Sequence, residues 1–232
     1  MRRGPVIAID GPSGAGKTTV SRRLAERTGL VRIDTGAMYR AVALAARKAG
    51  IPWSDASGLG TLCAGLSMEF RQEGGEMRLF LGAEDVSRAI RTPEISMGAS
   101  AVSAHAPVRE AMVALQRKIG EEGGVVAEGR DTGTVVFPGA EAKFFLDAAA
   151  AVRARRRFLE QGAGERVAFE DVYQDVLRRD VQDSTRDHSP LRMAPDAVYI
   201  DSTVLPVDAV VAEMLRHVPG LRGDGAAGGP GR

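Results

Sequence analysis

The 232-residue chain contains no asparagine. It therefore cannot carry the Asn-Lys-x-Asp guanine reader of GTP-driven switch proteins, and that class is excluded. Its single cysteine, Cys63, rules out an internal disulfide framework. That fits a reducing compartment, and Cys63 reads as a small buried apolar residue. No apolar run reaches the ~20 residues of a membrane span. The opening MRRGPVIAID sets basic residues before an apolar run, but Asp10 ends that run too early for a signal-peptide core. A net charge of only +1 argues against a general nucleic-acid or membrane-surface binder. Lysine is scarce: Lys17, Lys48, Lys118 and Lys143 are the only four. Arginine supplies the other basic residues, and its planar fork suits phosphate handling. The expectation is a cytoplasmic protein with neither nucleic acid nor membrane as partner.

What is present begins with IAIDGPSGAGKTTVSRRLAE, Ile7 to Glu26. The apolar run Val6 to Ile9 suits a buried parallel strand. From Thr18 onward, Val20, Leu24 and Ala25 recur at helical spacing. Between them, Gly11, Pro12, Ser13, Gly14, Ala15, Gly16, Lys17, Thr18 and Thr19 form a glycine loop that fits G-x-x-x-x-G-K-[ST]. Backbone N–H groups and the positive end of the new helix make an anion cradle. Lys17 is placed to reach the β- and γ-phosphates, and the Thr18 hydroxyl to sit on Mg²⁺. A glycine-rich turn that binds nothing would not need the lysine and the hydroxyl together. The loop is thus expected to hold a nucleoside triphosphate, most simply Mg-ATP.

Strand and helix patterns then alternate, as in a doubly wound α/β domain. Expected core strands are Val6 to Ile9, Leu30 to Ile33, Val125 to Ala127, Lys143 to Leu146 and Ala197 to Ile200. Helices are expected over Ala37 to Ala49, Val108 to Ile119, Ala149 to Gln161, Phe169 to Arg179 and Val207 to Val218. Leu66 to Ser87 breaks this rhythm by alternating and turning at Gly74-Gly75, which predicts a hairpin with a third short strand. The reading is one domain over 1–218, with an insert at about 35–122 and a lid at about 150–165. The glycine- and proline-rich tail 219–232 is expected to be disordered.

Strand carboxyl ends are where open α/β sheets bind ligands. The second strand ends in RIDTGAMYR, which brings Asp34, Thr35 and Arg40 near the phosphate loop. A plain N-capped helix would read the same way. The third strand end carries Arg130 and Asp131, for which a local ion pair is the plain alternative. Arg153, Arg155, Arg156 and Arg157 crowd one helix ahead of Gly162 and Gly164. They are either a solvated basic face or a mobile cover over a triphosphate. Arg179 and Asp183 share a helical face, with Arg186 one turn on.

The motifs IDGPSGAGK, DTGAMYR, EDVSRAIRTPEIS, PVRE, GRDTGTVVFP, KFFLDA and RRDVQDSTR occur in this order over most of Val6 to Asp201. In this the chain resembles the nucleoside monophosphate kinases, and among them the bacterial cytidylate kinases. The resemblance implies a P-loop NTPase fold with a five-stranded parallel sheet, a small antiparallel insert on the monophosphate-binding side and a short lid. It implies that ATP lies on Gly11 to Thr19, with Arg156 and its neighbours in the lid. By the same resemblance Ser100, Arg109 and Asp131 face the cytosine ring, and Asp183 accepts from ribose hydroxyls. Arg40, Arg130, Arg179 and Arg186 surround the acceptor phosphate and the transferring group, and Arg153 acts from the lid. Thr18 stands where some members lack a hydroxyl, so its metal role rests on the general loop pattern. A monomer is implied. Open alternatives are kinases of UMP, dTMP or AMP, or a small-molecule kinase for shikimate or gluconate.

Phosphoryl transfer to a nucleoside monophosphate needs no catalytic base, because the acceptor phosphate is already anionic. Lys17, Mg²⁺ and converging arginines carry the expected chemistry. His105, His188 and His217 accordingly read as surface or helix-end residues.

Overall fold

The computed structural model describes residues 3–74, 76–161 and 168–220. In chain order the regular elements begin with β1 (Val6–Asp10), α1 (Lys17–Thr28), β2 (Val31–Asp34), α2 (Thr35–Lys48) and α3 (Ala56–Ala64). The strands β3 (Met68–Glu73), β4 (Glu76–Leu81) and β5 (Glu84–Asp85) follow, then α4 (Pro93–Val102) and α5 (Ala106–Ile119). The second half holds β6 (Val125–Gly129), β7 (Ala142–Asp147), α6 (Ala150–Gln161), α7 (Phe169–Thr185), β8 (Val198–Asp201) and α8 (Val207–His217).

Five strands form one parallel sheet in the order β2-β6-β1-β7-β8. Each expected core strand is there, displaced by a residue at most at its start. β1 lies central and is buried throughout. Its side chains alternate between two cores: Val6 packs with Ile33, Met38, Leu44 and Met112 on one face, Ile7 and Ile9 with Leu24, Phe144 and Met214 on the other. Burial on both faces is why the central strands β1 and β6 are apolar up to the acid at their ends. The hairpin over Leu66 to Ser87 is also present: β3 pairs antiparallel with β4 from Met68–Leu81 to Glu73–Glu76, and β5 adds the short third strand. Met68 and Leu79 seat it on the first core.

Two helices were not anticipated. α3 contains Gly58 and Gly60, which weaken any helical signal, yet Asp55 caps it by accepting from the Gly58 N–H at 2.9 Å. α4 begins at a Thr92 cap with Pro93 in the first turn. A π-turn at Thr132–Val136 stands where the sequence suggested only a loop. α7 runs to Thr185, six residues past its expected end. The expected hinge glycines Gly162 and Gly164 and the tail from 221 onward lie outside the described residues.

At one edge of the sheet, every parallel strand carries an acid at or beside its carboxyl end: Asp10, Asp34, Glu128, Asp147 and Asp201. Three of these acids hold donors at the start of the segment that follows them. Asp34 accepts from Ala37 N at 2.8 Å, Asp147 from Ala148 N at 2.7 Å and Asp201 from Thr203 N at 2.8 Å. The edge thereby positions these segments.

Candidate active site

The loop between β1 and α1 needs its glycines for close approach. Gly11 has φ +148°, and a Cβ there would sit 1.9 Å from the Leu146 carbonyl oxygen. Gly14, at φ +80°, would meet the backbone and Cβ of Arg153 at 2.9 Å. α6 therefore lies directly against the loop. Arg153 is only 5% exposed. It donates to Ser13 O at 3.1 Å and Ala148 O at 2.7 Å, and its two terminal nitrogens grip Asp180 at 2.9 and 2.6 Å. Arg156 reaches Ala15 O at 3.3 Å and Ser202 O at 2.6 Å.

Lys17 folds back over the loop and donates to Pro12 O at 2.6 Å. Burial, with Arg130 adding to it, pulls its ammonium down to about 7. Phosphate oxygens brought to the loop would supply the missing counter-charge. The Thr18 hydroxyl donates to Glu128 Oε2 at 2.9 Å, while Ser21 Oγ and Arg32 Nη1 donate to Oε1, both at 2.9 Å. Burial first, then nearby Asp34, raises the Glu128 carboxyl above its usual range.

Two cavities open beside the loop. The larger, about 360 Å³, is lined by residues Ser13 to Thr19 with Asp34, Glu128 and Arg156, and its far wall is Ser202, Leu205, Val207 and Val210. The smaller, about 190 Å³, holds Thr35, Tyr39 and Ser100, then Arg109, Asp131, Arg179, Asp183 and Arg186. Ser13, Gly36, Arg40, Gly129, Arg130 and Arg157 line both. The wall between the cavities therefore carries three guanidinium groups.

The ion pairs cross between elements. Arg130 pairs with Asp183 at 2.7 Å and Arg109 with Asp131, so the neighbours Arg130 and Asp131 do not pair with each other. Arg179 turns to Asp175 at 2.9 Å, not to Asp183, and Arg40 to Asp34 at 3.2 Å. Arg186 lies 3.9 Å from Asp131 and is fixed by the Ser189 carbonyl, to which its Nε donates at 2.7 Å. Burial pushes the Tyr39 phenol up to about 12; Arg109 stands 5.7 Å over its ring. Three buried donors in these walls have no hydrogen-bond partner: Nε of Arg40, Arg109 and Arg157. Buried unpartnered N–H groups are costly. Here all three belong to cations lining one pair of cavities, which marks the space for anions.

Nearly all residues singled out from the sequence meet in these cavities. Gly11 and Pro12 line neither, acting through backbone placement instead. Arg153, expected among the lid arginines, lines neither cavity and ties the loop to α7. Arg157, read only as one of a crowded arginine cluster, lines both cavities, and Glu128 was missed. Glu128 had one signal, an acid ending an apolar strand.

Asp10 holds the second loop of the site. Its carboxylate accepts from Thr132 N at 2.8 Å, Gly133 N at 2.7 Å and the Thr132 hydroxyl, fixing the π-turn that follows Asp131. Asp10→Ala would leave two buried backbone N–H groups unpaired. At about 1–3 kcal/mol each, urea unfolding is expected to show a loss of about 2–5 kcal/mol. A loss below about 1 kcal/mol would mean the turn holds itself.

A lysine-bearing phosphate loop that opens through an arginine wall into a second cavity is the layout of a P-loop kinase, an enzyme that moves a phosphoryl group between two bound molecules. A family model described as cytidylate kinase matches residues 7–220. The cytidylate kinase of Syntrophotalea carbinolica is 54% identical over 219 residues, 94% of this chain and 93% of that one. That of Geobacter sulfurreducens is 54% identical over 215 residues, 92% of each. The chain belongs to the cytidylate kinase family. Among solved structures, an uncharacterized protein from Eubacterium ventriosum shares the fold, with a TM-score of 0.53 at 12% identity, over 93% of this chain and 99% of that one.

Proposed function

We propose that the protein transfers the γ-phosphoryl group of ATP to CMP and dCMP, giving ADP with CDP or dCDP. The observation that carries this reading is the wall common to both cavities, with its three guanidinium groups and unpartnered N–H donors. ATP occupies the larger cavity, its triphosphate on Gly11 to Thr19 and its base against Leu205, Val207 and Val210 beside Arg156. CMP occupies the smaller, its phosphate toward Arg40, Arg130, Arg179 and Arg186 and its base toward Ser100, Arg109 and Asp131. Asp183 and Thr35 border the sugar and phosphate.

An oxygen of the CMP phosphate attacks the γ-phosphorus as the bond to the β–γ bridging oxygen breaks, and ADP leaves with that electron pair. No proton moves, so no base is needed. None of His105, His188 and His217 lines either cavity; His105 bonds Trp53 O and His217 bonds Glu213. The chain's task is alignment and charge stabilisation.

Mg²⁺ supplies further neutralisation of the triphosphate when bound. The residues fit an ion carried mainly by phosphate: no cluster of three His, Cys, Asp or Glu side chains exists among the described residues. The Thr18 oxygen, having donated its proton to Glu128, keeps lone pairs for such an ion. The unit works as a monomer in the cytoplasm, the insert at 35–122 carrying the acceptor and α6 (Ala150–Gln161) lying against the phosphate loop; the rest of the expected lid lies outside the described residues. No helix among the described residues is long and apolar enough to cross a membrane.

A coupled assay of ADP formation across CMP, dCMP, UMP, dTMP, AMP, shikimate and gluconate tests this. CMP and dCMP are expected to give the highest kcat/KM, at least about tenfold above the rest. A better acceptor outside that pair would overturn the assignment.

A further inference from the structure

We propose that Gly98 and Trp53 together set the width of the smaller cavity, by fixing how far back α4 sits from it. They are positioning residues for the acceptor and touch it nowhere. α4 has two faces. Ser96, Ala99 and Ser100, with Ser103 at its cap, line the smaller cavity. Ile95, Gly98 and Val102 are its buried positions. At about 100° per residue, Gly98 points roughly 150° away from the middle of the cavity-lining face. Whatever stands behind Gly98 therefore acts as a stop for that face.

The stop is the six-membered ring of Trp53. A Cβ on Gly98 would meet its Cζ2 at 2.5 Å and its Cε2 at 2.6 Å. Glycine is a poor helix former, and its place inside α4 goes with this contact. The ring is anchored and does not yield cheaply. Its Nε1 donates to Ala43 O of α2 at 3.0 Å, and His105 at the start of α5 donates from Nε2 to Trp53 O at 2.8 Å. α2 and α5 also carry Arg40 and Arg109 into the same cavity. Trp53 thus gauges α4 against the two helices that supply acceptor-side arginines. Restoring an ordinary contact of about 3.5 Å after adding a Cβ needs a shift of about 1 Å. With the ring held, α4 takes that shift, and it points into a cavity of only about 190 Å³.

The inference rests on the reading of the chain as an ATP:CMP phosphotransferase only for the identity of the acceptor. The parent enzyme is first assayed with CMP. If CMP fails, that reading falls, and the variants are tested with whichever acceptor the panel finds best. Gly98→Ala is expected to raise KM for CMP about tenfold, with kcat and KM for ATP within about threefold. Calorimetry is expected to show CMP binding weakened by about the same factor and ADP binding unchanged. Gly98→Ala with Trp53→Phe, which removes the outer ring carbons, should bring KM for CMP back to within about threefold of the parent. Trp53→Phe alone lets α4 settle back, and should raise kcat/KM for AMP relative to CMP by at least about threefold. An unchanged KM for CMP in Gly98→Ala would overturn the proposal, as would a KM for ATP that rises equally, or a double variant no better than the single one. If Gly98→Ala melts early, Trp53→Phe carries the test: an unchanged AMP-to-CMP ratio sinks the proposal, and a raised ratio supports it.

Discussion

Lys17→Ala is expected to lower turnover on the order of 10³-fold and to leave the fold intact. Lys17 is buried, and its only hydrogen bond among the described residues goes to Pro12 O within the same loop. That bond stays within the loop and supports no distant element. Burial already depresses the ammonium to about 7, so losing it removes a charge that folding tolerates at a cost. Stability by urea unfolding should therefore change by less than about 1 kcal/mol. Turnover is different: without Lys17 the β- and γ-phosphates keep only backbone N–H groups from this side, and no other lysine lines either cavity. The arginines of the same cavity, Arg40, Arg130, Arg156 and Arg157, come from other elements and do not restore an ammonium at the loop itself. Steady-state turnover with ATP and CMP, alongside the unfolding curve, decides the matter. A variant that unfolds, or one that keeps near-parental turnover, would show that Lys17 supports the structure and does not handle phosphate.

The parallel sheet was legible because its central strands are short apolar runs bounded by turn residues, and two-sided burial writes that pattern directly; β2 and β8, at the edges, show it less cleanly. The hairpin was legible through alternation and Gly74. Helices α3 and α4 were not. Glycine dilutes the periodicity of α3, and Thr92-Pro93 signals the start of α4 only once a helix is suspected there. At the site, residue types pointed to phosphate chemistry, but partner choice was hidden. Arg130 beside Asp131 reads as a local pair in one dimension. In three, β6 ends between α5 and α7, and each charge finds a partner more than 20 residues away. Arg153 and Arg157 are equivalent by helical spacing. Only the position of the phosphate loop against the first turn of α6 separates the residue that props the loop from the one that borders both cavities.

Asp131→Asn is expected to cost CMP about 2–4 kcal/mol in kcat/KM, roughly 30- to 900-fold, and UMP much less. Cytosine offers an amino donor at C4 and a bare acceptor at N3; uracil offers a carbonyl and an N–H at those positions. Asp131 is 6% exposed, and its Oδ2 is taken by Arg109. Among the described residues its Oδ1 accepts no hydrogen bond, with Arg186 3.9 Å away. That oxygen is free to accept from the cytosine amino group, whereas a uracil carbonyl would meet it acceptor to acceptor. Arg109, which lines the same cavity, adds the complementary preference, since a guanidinium has only donors and suits N3 or O2 of cytosine and opposes the N–H of uracil. Ser100 contributes in the same sense: its hydroxyl donates to Gln182 Oε1 at 3.1 Å, which leaves oxygen lone pairs toward the cavity. In Asp131→Asn the carboxylate between Arg109 and Arg186 loses its charge, and the amide can present N–H where an acceptor stood. CMP loses both an acceptor and the ion pair that positions Arg109. UMP loses the same ion pair but gains a donor for its C4 carbonyl, so the two substrates converge. The measurement is kcat/KM for CMP and UMP on parent and variant, with Asp131→Glu as the control that keeps charge while shifting its position. A variant that retains the parent's full preference for CMP would remove Asp131 from base reading and leave Arg109 and Ser100 as the discriminating groups.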